Sequence, residues 1–287
     1  NKSELDKAIR SVHEGTLSLN LDDASSSSSS SSTSLTMKLY DLGGQSTFYI
    51  FHTFFLTEYA IYLVVFDMSS VISKEESVRE EALVFLDQWL NSIHLYAMSA
   101  PVVLVGTHAD VVSRRQDHEK ISTMLFKRYH TKPVFKHICK NQSNLCFFPV
   151  DNTQSDKDPG VQAVREVITK TEMEQEYVNM KAPLSWLALY DKLMLICKTE
   201  KKPMLPLHEV KKIAANFGLS GDDVVNCMCF LHMYSMLLYY DNIAGMRDIV
   251  VLDTQWAVDL MSKVIRNYGL HSIAEDKTAR KHGVAWA

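Results

Sequence analysis

The spacing of apolar residues predicts strands in the first part of the chain. Three continuous apolar runs have the length and the β-branched character of strands that are buried on both faces. They occupy residues 60–66, 101–106 and 145–150. Before them, apolar and polar residues alternate over 35–40, which predicts a half-buried strand.

Helical spacing separates these runs. Apolar residues recur every three to four positions over 78–93, and again over 161–168 after Pro159 and Gly160. Each segment therefore predicts a helix with one apolar stripe. Strands that alternate with helices form a parallel sheet with right-handed crossovers. Residues 1–172 are thus predicted to be an α/β domain.

Beyond residue 172 the pattern is helical. The predicted helices cover residues 184–197, 207–217, 222–235 and 254 to about 268. Ser220 is a candidate cap for the third of them, whose first turn is acidic. Two apolar runs, 236–240 and 248–253, flank a turn-prone Asp-Asn pair and predict a two-stranded wing. Residues 173–287 therefore have the pattern of a winged helix.

Composition and charge narrow the function. The 287 residues are 46% apolar and 22% charged, as expected of a globular protein with two domains. The net charge of −4, and a third predicted helix without Arg or Lys, argue against nucleic-acid binding. The longest apolar run, residues 59–66, is far shorter than the roughly 20 residues that span a bilayer. Five cysteines without the spacing of a zinc site indicate free thiols and a cytoplasmic protein.

A polyserine stretch covers residues 25–32. Such a sequence cannot bury enough surface to offset its ordering entropy, so it predicts a flexible loop. The loop is either a regulatory, phosphorylated segment or an insertion without a function of its own. The chain does not begin with Met, and we expect it to be a piece of a longer protein.

The first candidate for chemistry is the motif DLGGQ at residues 41–45, directly after the predicted strand at 35–40. In parallel sheets, ligands bind at the carboxyl ends of the strands. Asp41 could hold Mg²⁺ through water there, and Gly44 could let a backbone N–H approach a γ-phosphate. A plain turn at the end of a strand would have the same pattern.

The second candidate is the motif THAD at residues 107–110, after the buried run 101–106. A carboxylate at this point can accept both N–H groups of the guanine edge, an arrangement that adenine cannot satisfy. The alternative is that Asp110 caps a helix. A Cys227-x-Cys229 pair is better explained by packing than by metal binding, because the two side chains point about 200° apart on a helix.

Taken in this order, the two motifs resemble those of the Ras-like GTPases. His108, in place of the usual lysine, resembles the Roc domains of the ROCO family. FLHMYSMLLYYDN (230–242) and DIVVLDTQWAVDLM (248–261) resemble the COR domain of the same family. The resemblance covers nearly the whole chain and implies a Roc-COR tandem: a Ras-like α/β domain followed by a helical and winged-helix domain.

The resemblance implies a role for individual residues. Asp41 and Thr16 would be Mg²⁺ ligands, Gly44 would contact the γ-phosphate, and Gln45 would be the catalytic residue that orients the attacking water. An exposed loop threonine is the alternative for Thr16. The residues implied to bind the guanine nucleotide, GTP or GDP, are Asp41, Gly44, Thr107, His108, Asp110, Asp151 and Asn152.

One departure from the family pattern is large. No GxxxxGK[ST] element, and no Gly-Lys pair, occurs in the sequence. That element supplies most of the phosphate contacts in P-loop proteins. We expect the chain to begin after it, with residues 4–13 as the tail of the following helix. The implied function is a slow GTPase switch that signals, and dimerises, through COR. A pseudo-GTPase scaffold for protein partners is the alternative.

Overall fold

A computed structural model describes residues 12–19, 35–42 and 52–264 of the chain. The polyserine stretch 25–32, and Gly44 and Gln45 of the DLGGQ motif, lie outside these residues. The strands are β1 (Val12–Leu19), β2 (Leu35–Leu42), β3 (Tyr62–Asp67), β4 (Val102–Thr107), β5 (Phe148–Pro149), β6 (Met204–Pro206) and β7 (Ile249–Val251). The helices are α1 (Met68–Val71), α2 (Glu76–Tyr96), α3 (Arg115–Tyr129), α4 (Pro159–Met173), α5 (Leu184–Glu200), α6 (Leu207–Ala215), α7 (Asp222–Met233) and α8 (Thr254–Val264). Short 3-10 helices cover Thr53–Phe55, Pro133–His137, Asn152–Lys157 and Glu176–Asn179.

The predicted parallel sheet is confirmed in β3, β4 and β5. β4 lies in the middle, with its register running from Tyr62 opposite Val102 to Asp67 opposite Thr107. Every residue of β4 is buried, as the continuous apolar run predicted. β5 is shorter than the predicted run 145–150 because it pairs only at Phe148 and Pro149, although the next N–H, of Val150, also bonds to the Gly106 carbonyl oxygen.

Helices cover both faces of β4. Val102 and Leu104 pack with α2 and α3, in a core that includes Leu86 and Ile121. Val103 and Val105 point the other way and pack with Val164 and the rest of α4. The helices predicted at 78–93 and 161–168 are confirmed, and α4 begins with Asp158 as its cap, whose carboxylate accepts the Val161 N–H at 2.9 Å.

The first predicted strand exists but pairs differently from our expectation. β2 runs antiparallel to β1 in a sheet of its own, rather than joining the parallel sheet. Leu39, predicted to be on the buried side, is 59% exposed, while Tyr40 is partly buried. The reason is that Tyr40 packs against the apolar cluster of Leu238 and Val258 in the C-terminal half. The face of β2 that carries Tyr40 is therefore the buried one.

Strand β1 also corrects two predictions. Val12 and His13, expected at the tail of a helix, pair with Leu42 and Asp41 in the ladder. Thr16, for which a loop was the alternative, pairs with Lys38 in the same strand. The β1 sequence has little regular alternation, so its strand character follows from its long-range partner rather than from its own pattern.

The C-terminal half packs α5, α6 and α7 around a second core. That core contains Leu189, Leu193, Val210, Val224 and Leu231, all fully or almost fully buried. The helices predicted at 184–197 and 207–217 are confirmed, as is the acidic first turn of α7. Gly221, with φ of 55°, precedes α7, and no side chain caps it, so the prediction of Ser220 as a side-chain cap is wrong.

The predicted wing has a different partner strand. β7 pairs antiparallel with β6, so that Leu205 lies opposite Val250. The run 236–240 contributes a single bridge, from Leu238 to Val251. Residues 241–248 form a long loop instead of a two-residue turn, and the N–H groups following β7 bond to Pro203, which holds β7 against 204–206.

A short segment joins the two halves. α4 ends at Met173, the 3-10 helix Glu176–Asn179 follows, and α5 begins at Leu184. The halves also share a small apolar cluster in which Phe55 packs with Leu238 and Val258. The domain division at residue 172 remains our proposal. Within the ranges that the structure covers, no helix has both the length and the apolar content needed to cross a membrane.

Candidate functional site

The THAD motif forms the loop after β4. Thr107, the last residue of β4, is buried, and its hydroxyl donates a 3.2 Å hydrogen bond to the backbone carbonyl of Phe66 in β3. The Thr107 side chain therefore ties the ends of two neighbouring strands together. It fixes the point at which the loop leaves the sheet.

His108 reverses the chain direction at this point. Its φ is 64°, in the left-handed region that residues other than glycine enter at a cost of roughly 1–2 kcal/mol. Its carbonyl oxygen accepts hydrogen bonds from the N–H groups of Val111 (3.1 Å) and Val112 (2.9 Å). The resulting tight turn leaves the side chains of His108 and Asp110 exposed to solvent.

The alternative interpretation of Asp110, as a helix cap, is wrong. The next helix, α3, begins at Arg115 with Arg114 in the cap position, and no side chain makes a capping hydrogen bond. Within the part of the chain that the structure describes, the Asp110 carboxylate has neither a hydrogen-bond donor nor an ion-pair partner. A solvated carboxylate held on a tight turn is available to bind a ligand.

A backbone hydrogen bond joins this loop to the loop after β5. The Ala109 N–H donates to the Val150 carbonyl oxygen at 3.2 Å, and the Val150 N–H donates to the Gly106 carbonyl oxygen at 2.8 Å. The residues that follow, Asp151 and Asn152, therefore lie beside the THAD loop. The structure brings together two of the segments that the sequence analysis selected, at the carboxyl ends of β4 and β5.

The Asp151 carboxylate forms its hydrogen bonds within its own loop. It is buried, and its carboxylate accepts hydrogen bonds from the Thr153 N–H (2.9 Å), the Thr153 hydroxyl (2.6 Å) and the Gln154 amide (2.5 Å). These hydrogen bonds, those from Thr153 first, hold the pKa of Asp151 below its usual value. Asp151 thus shapes the loop, and the exposed Asn152 is the side chain next to it that can reach a ligand.

Asp67 lies beside the THAD loop, although the sequence analysis did not select it. It ends β3 opposite Thr107, and its carboxylate caps α1 by accepting the Ser69 N–H at 2.8 Å and both the Ser69 and Ser70 hydroxyls at 2.7 Å. Burial raises the pKa of Asp67, but the serine hydrogen bonds, aided by His108, outweigh it and leave the pKa below its usual value. The signal was present in the sequence, since an aspartate after an apolar run, with serines two and three positions later, is a helix-start pattern.

Asp41 lies on the other sheet, at the end of β2. It is exposed and pairs with His13 across the β1–β2 ladder, while Thr16 pairs with Lys38. Three register steps separate Thr16 from Asp41, about 10 Å along the strands. Within the described ranges no group of three or more His, Cys, Asp or Glu side chains could hold a metal ion. The binding of Mg²⁺ by Asp41 and Thr16 stays a prediction.

The architecture defines a class of protein: a three-layer α/β domain with exposed loops at the carboxyl ends of its parallel strands, followed by a helical domain with a small antiparallel sheet. Two family models match the chain, "Ras of Complex, Roc, domain of DAPkinase" over residues 4–110 and "C-terminal of Roc, COR-A domain" over residues 183–283. The chain belongs to the ROCO family, as a Roc-COR tandem. The resemblance found in the sequence is confirmed.

Similar proteins include a probable serine/threonine-protein kinase, pats1, of Dictyostelium discoideum, which is 26% identical over 84% of this chain. Leucine-rich repeat serine/threonine-protein kinase 1 of Mus musculus is 23% identical over 85% of it. The chain spans only 7% of the first of these proteins and 13% of the second.

A solved structure, that of Methanosarcina barkeri Roco2 RocCORdC bound to GDP, is similar with a TM-score of 0.64 and 17% identity. It covers 94% of this chain, which covers 74% of that structure. At this level of identity the likeness establishes the fold, a Ras-like domain followed by COR.

Proposed function

We propose that the chain is the guanine-nucleotide-binding switch of a larger protein. The observation that supports this most strongly is the pairing of two loops: the Ala109 to Val150 hydrogen bond brings the solvated Asp110 carboxylate beside Asn152. This is the position at which open parallel sheets bind nucleotides. Membership of the Roc family and the GDP in the Roco2 structure support the same ligand class.

The proposed base contacts follow from hydrogen-bonding chemistry. Guanine presents two adjacent N–H donors along one edge, and an ionised carboxylate can accept both in a charge-assisted pair. Adenine presents an unprotonated ring nitrogen there, which would face the Asp110 carboxylate. Asp110 would therefore select guanine, and Asn152 and the exposed His108 would line the base. Thr107 and Asp151 would act by holding the two loops in place.

The phosphate side is proposed from the family motif. Asp41 would hold Mg²⁺ through water, Gly44 would contact the γ-phosphate, and Gln45 would orient the attacking water; Mg²⁺ would neutralise phosphate charge. Thr16 would join Asp41 as an Mg²⁺ ligand, as the family motif implies. We propose slow hydrolysis in the complete protein, as the family resemblance implies. This chain alone, whose 287 residues contain no GxxxxGK[ST] element, would hydrolyse little or no GTP.

We further propose that COR relays the nucleotide state to protein partners, including a second copy bound through COR. Five free cysteines support a reducing compartment, the cytoplasm. A second function, a scaffold that does not depend on nucleotide, is favoured by one observation, the absence of a Gly-Lys pair from the sequence.

Competition binding on the complete natural protein separates the two functions. A fluorescent GDP analogue should bind in the presence of Mg²⁺ and be displaced by GDP at least about a hundredfold more effectively than by ADP, since two charged hydrogen bonds are at stake. The scaffold function requires the opposite result, in which the complete protein binds neither nucleotide or does not distinguish between them.

A further inference from the structure

Two tyrosine hydroxyls join the halves of the molecule, one on each side of residues 43–51. Tyr40, in β2 and directly before Asp41, donates a 2.6 Å hydrogen bond to the backbone carbonyl of Ser235 in the C-terminal half. Tyr240, in the C-terminal half, donates a 2.7 Å hydrogen bond to the backbone carbonyl of Phe54. The donors come from opposite halves, so each half supplies one side chain and one backbone acceptor.

Ring contacts reinforce both hydrogen bonds. Tyr240 meets Phe54 edge to face, with ring centroids 5.7 Å apart, and Tyr40 lies 6.0 Å from Phe55. Phe55 is itself buried against Leu238. Tyr40 and the segment 53–55, which we call the flanks of the DLGGQ motif, therefore pack against an apolar patch of the C-terminal half. The two tyrosine hydroxyls fix their orientation there.

The acceptor in the C-terminal half is rigid. Ser235 has a φ of 54°, and its N–H donates to the His232 carbonyl oxygen at 2.8 Å. The next N–H, of Met236, donates to the Leu231 carbonyl oxygen at 2.9 Å, and Leu238 exchanges two 3.0 Å hydrogen bonds with Val251. Hydrogen bonds join segment 235–238 to both α7 and β7. They hold the Ser235 carbonyl oxygen in place, so that it can position the Tyr40 hydroxyl.

We propose that Tyr40 and Tyr240 are positioning residues through which the COR domain sets the placement of Asp41 and of the 3-10 helix Thr53–Phe55. The inference rests on the proposed function, in which Asp41 serves the nucleotide-bound Mg²⁺. Asp41 follows Tyr40 without an intervening residue, so the hydrogen bond to Ser235 limits how far the strand end can move. COR thereby contributes to the nucleotide site without touching the nucleotide.

The chain supplies a matched control. Tyr234 also donates a 2.6 Å hydrogen bond to a backbone carbonyl, but its acceptor is Tyr177, in the segment between α4 and α5. Tyr234→Phe, Tyr40→Phe and Tyr240→Phe each remove one hydroxyl and keep the ring. Only the last two act on the flanks of the DLGGQ motif.

The first readout is amide hydrogen exchange in the complete protein without nucleotide. In Tyr40→Phe, peptides that cover 38–42 should exchange about three to ten times faster than in the parent, and in Tyr240→Phe the same should hold for 52–57, the range expected for one lost hydrogen bond. Tyr234→Phe should leave both peptides unchanged. If Tyr234→Phe accelerates them equally, the interface is merely loosened and the inference is wrong.

The second readout is the Mg²⁺ concentration at which a bound GDP analogue is half-retained. It should rise severalfold in Tyr40→Phe and stay at the parental value in Tyr234→Phe, a shift that a purely structural role would not produce. An unchanged Mg²⁺ midpoint in Tyr40→Phe would overturn the positioning role. If the parent binds no nucleotide, the proposed function fails instead, and the exchange experiment still decides whether the tyrosines hold the flanks.

Discussion

A Cβ atom at Gly160 would overlap the backbone carbonyl oxygen of Pro149. Gly160 lies in the first turn of α4 and Pro149 ends β5, so the helix start is pressed against the strand that leads into the Asp151 loop. Only a residue without a side chain permits this approach. The contact sets where the loop 150–158 leaves the sheet, beside the proposed base site.

We therefore predict that Gly160→Ala displaces this loop. The variant should lose about 1–3 kcal/mol of unfolding free energy, as overpacked sites do, and should bind guanine nucleotide more weakly in the complete protein. Denaturant unfolding and GDP binding measure the two effects. Glu166→Ala, at an exposed position on the same helix, should change neither. If Gly160→Ala has the same free energy of unfolding as the parent, the end of β5 at Pro149 can move away from the added Cβ without a loss of stability.

Asp110 is predicted to carry the preference for guanine. Asp110→Ala in the complete protein should lose most of the discrimination between GDP and ADP, because each charged hydrogen bond is worth roughly 1.5–3 kcal/mol. Asp156→Ala is the control, since Asp156 is an exposed aspartate in the neighbouring loop, paired with Arg165. Competition binding compares the variants. A variant that still prefers GDP as strongly as the parent would remove Asp110 from the site.

The 287-residue chain alone should bind GDP weakly or undetectably. The nested backbone N–H groups and the lysine of a GxxxxGK[ST] element provide much of the affinity of P-loop proteins for phosphate, and the sequence contains no such element. Calorimetry with GDP and Mg²⁺ tests this directly. Submicromolar affinity would show that other residues of the chain can replace the phosphate contacts.

The sequence predicts those parts of the fold whose pattern lies within a single short segment. β3, β4 and α2 were predicted because each carries a complete apolar pattern within its own residues. The β6–β7 pairing was not, because β6 is three residues long, ends in Pro206 and gains strand character only from the distant β7. Long-range pairing of this kind leaves little trace in a short segment.

In the candidate site, too, the features with a local pattern were predicted and those that depend on folding were not. THAD was recognised because a motif follows a strand, and its exposed Asp110 agrees with the proposed role. The capping role of Asp151 was not foreseen, because it depends on Thr153 and Gln154 folding back onto the carboxylate. Similarly, the contacts of Tyr40 and Tyr240 join residues almost two hundred positions apart, which no local pattern reveals.

His52 is predicted to make stability depend on pH. It is 3% exposed and stacks on Trp89 with ring centroids 4.7 Å apart, and burial lowers its pKa to about 4. Between pH 6.5 and 4 the unfolded imidazole takes up a proton that the folded one does not. The free energy of unfolding should therefore fall as the pH is lowered through this window, by up to about 3 kcal/mol.

Denaturant unfolding between pH 4 and 7 measures this contribution. His52→Phe keeps a ring for stacking and should remove that part of the pH dependence. His130→Asn, at an exposed histidine, should leave the profile as it is in the parent. If His52→Phe shows the parental slope between pH 6.5 and 4, another group is responsible for it.

The last prediction concerns coupling between the halves. Trp186, on the first COR helix, packs against Phe230 in the C-terminal core, with ring centroids 5.3 Å apart. The ring of Phe230 in turn lies 4.6 Å from that of Tyr234, which meets Tyr59 of the α/β domain at 5.2 Å. A continuous row of rings thus leads from the segment before β3 to the first COR helix, α5.

Because interfaces of this kind repack between discrete arrangements, hydrogen exchange over Leu184–Cys197 should differ between the GDP-bound and GTP-analogue-bound states of the complete protein. Residues 231–240, which hold the flanks of the DLGGQ motif, should change in parallel. Peptides from α3, which packs on the face of the sheet opposite to α4, serve as the internal control. Identical protection of 184–197 and 231–240 in both states would make COR a passive neighbour, and the scaffold function would then account better for the tandem.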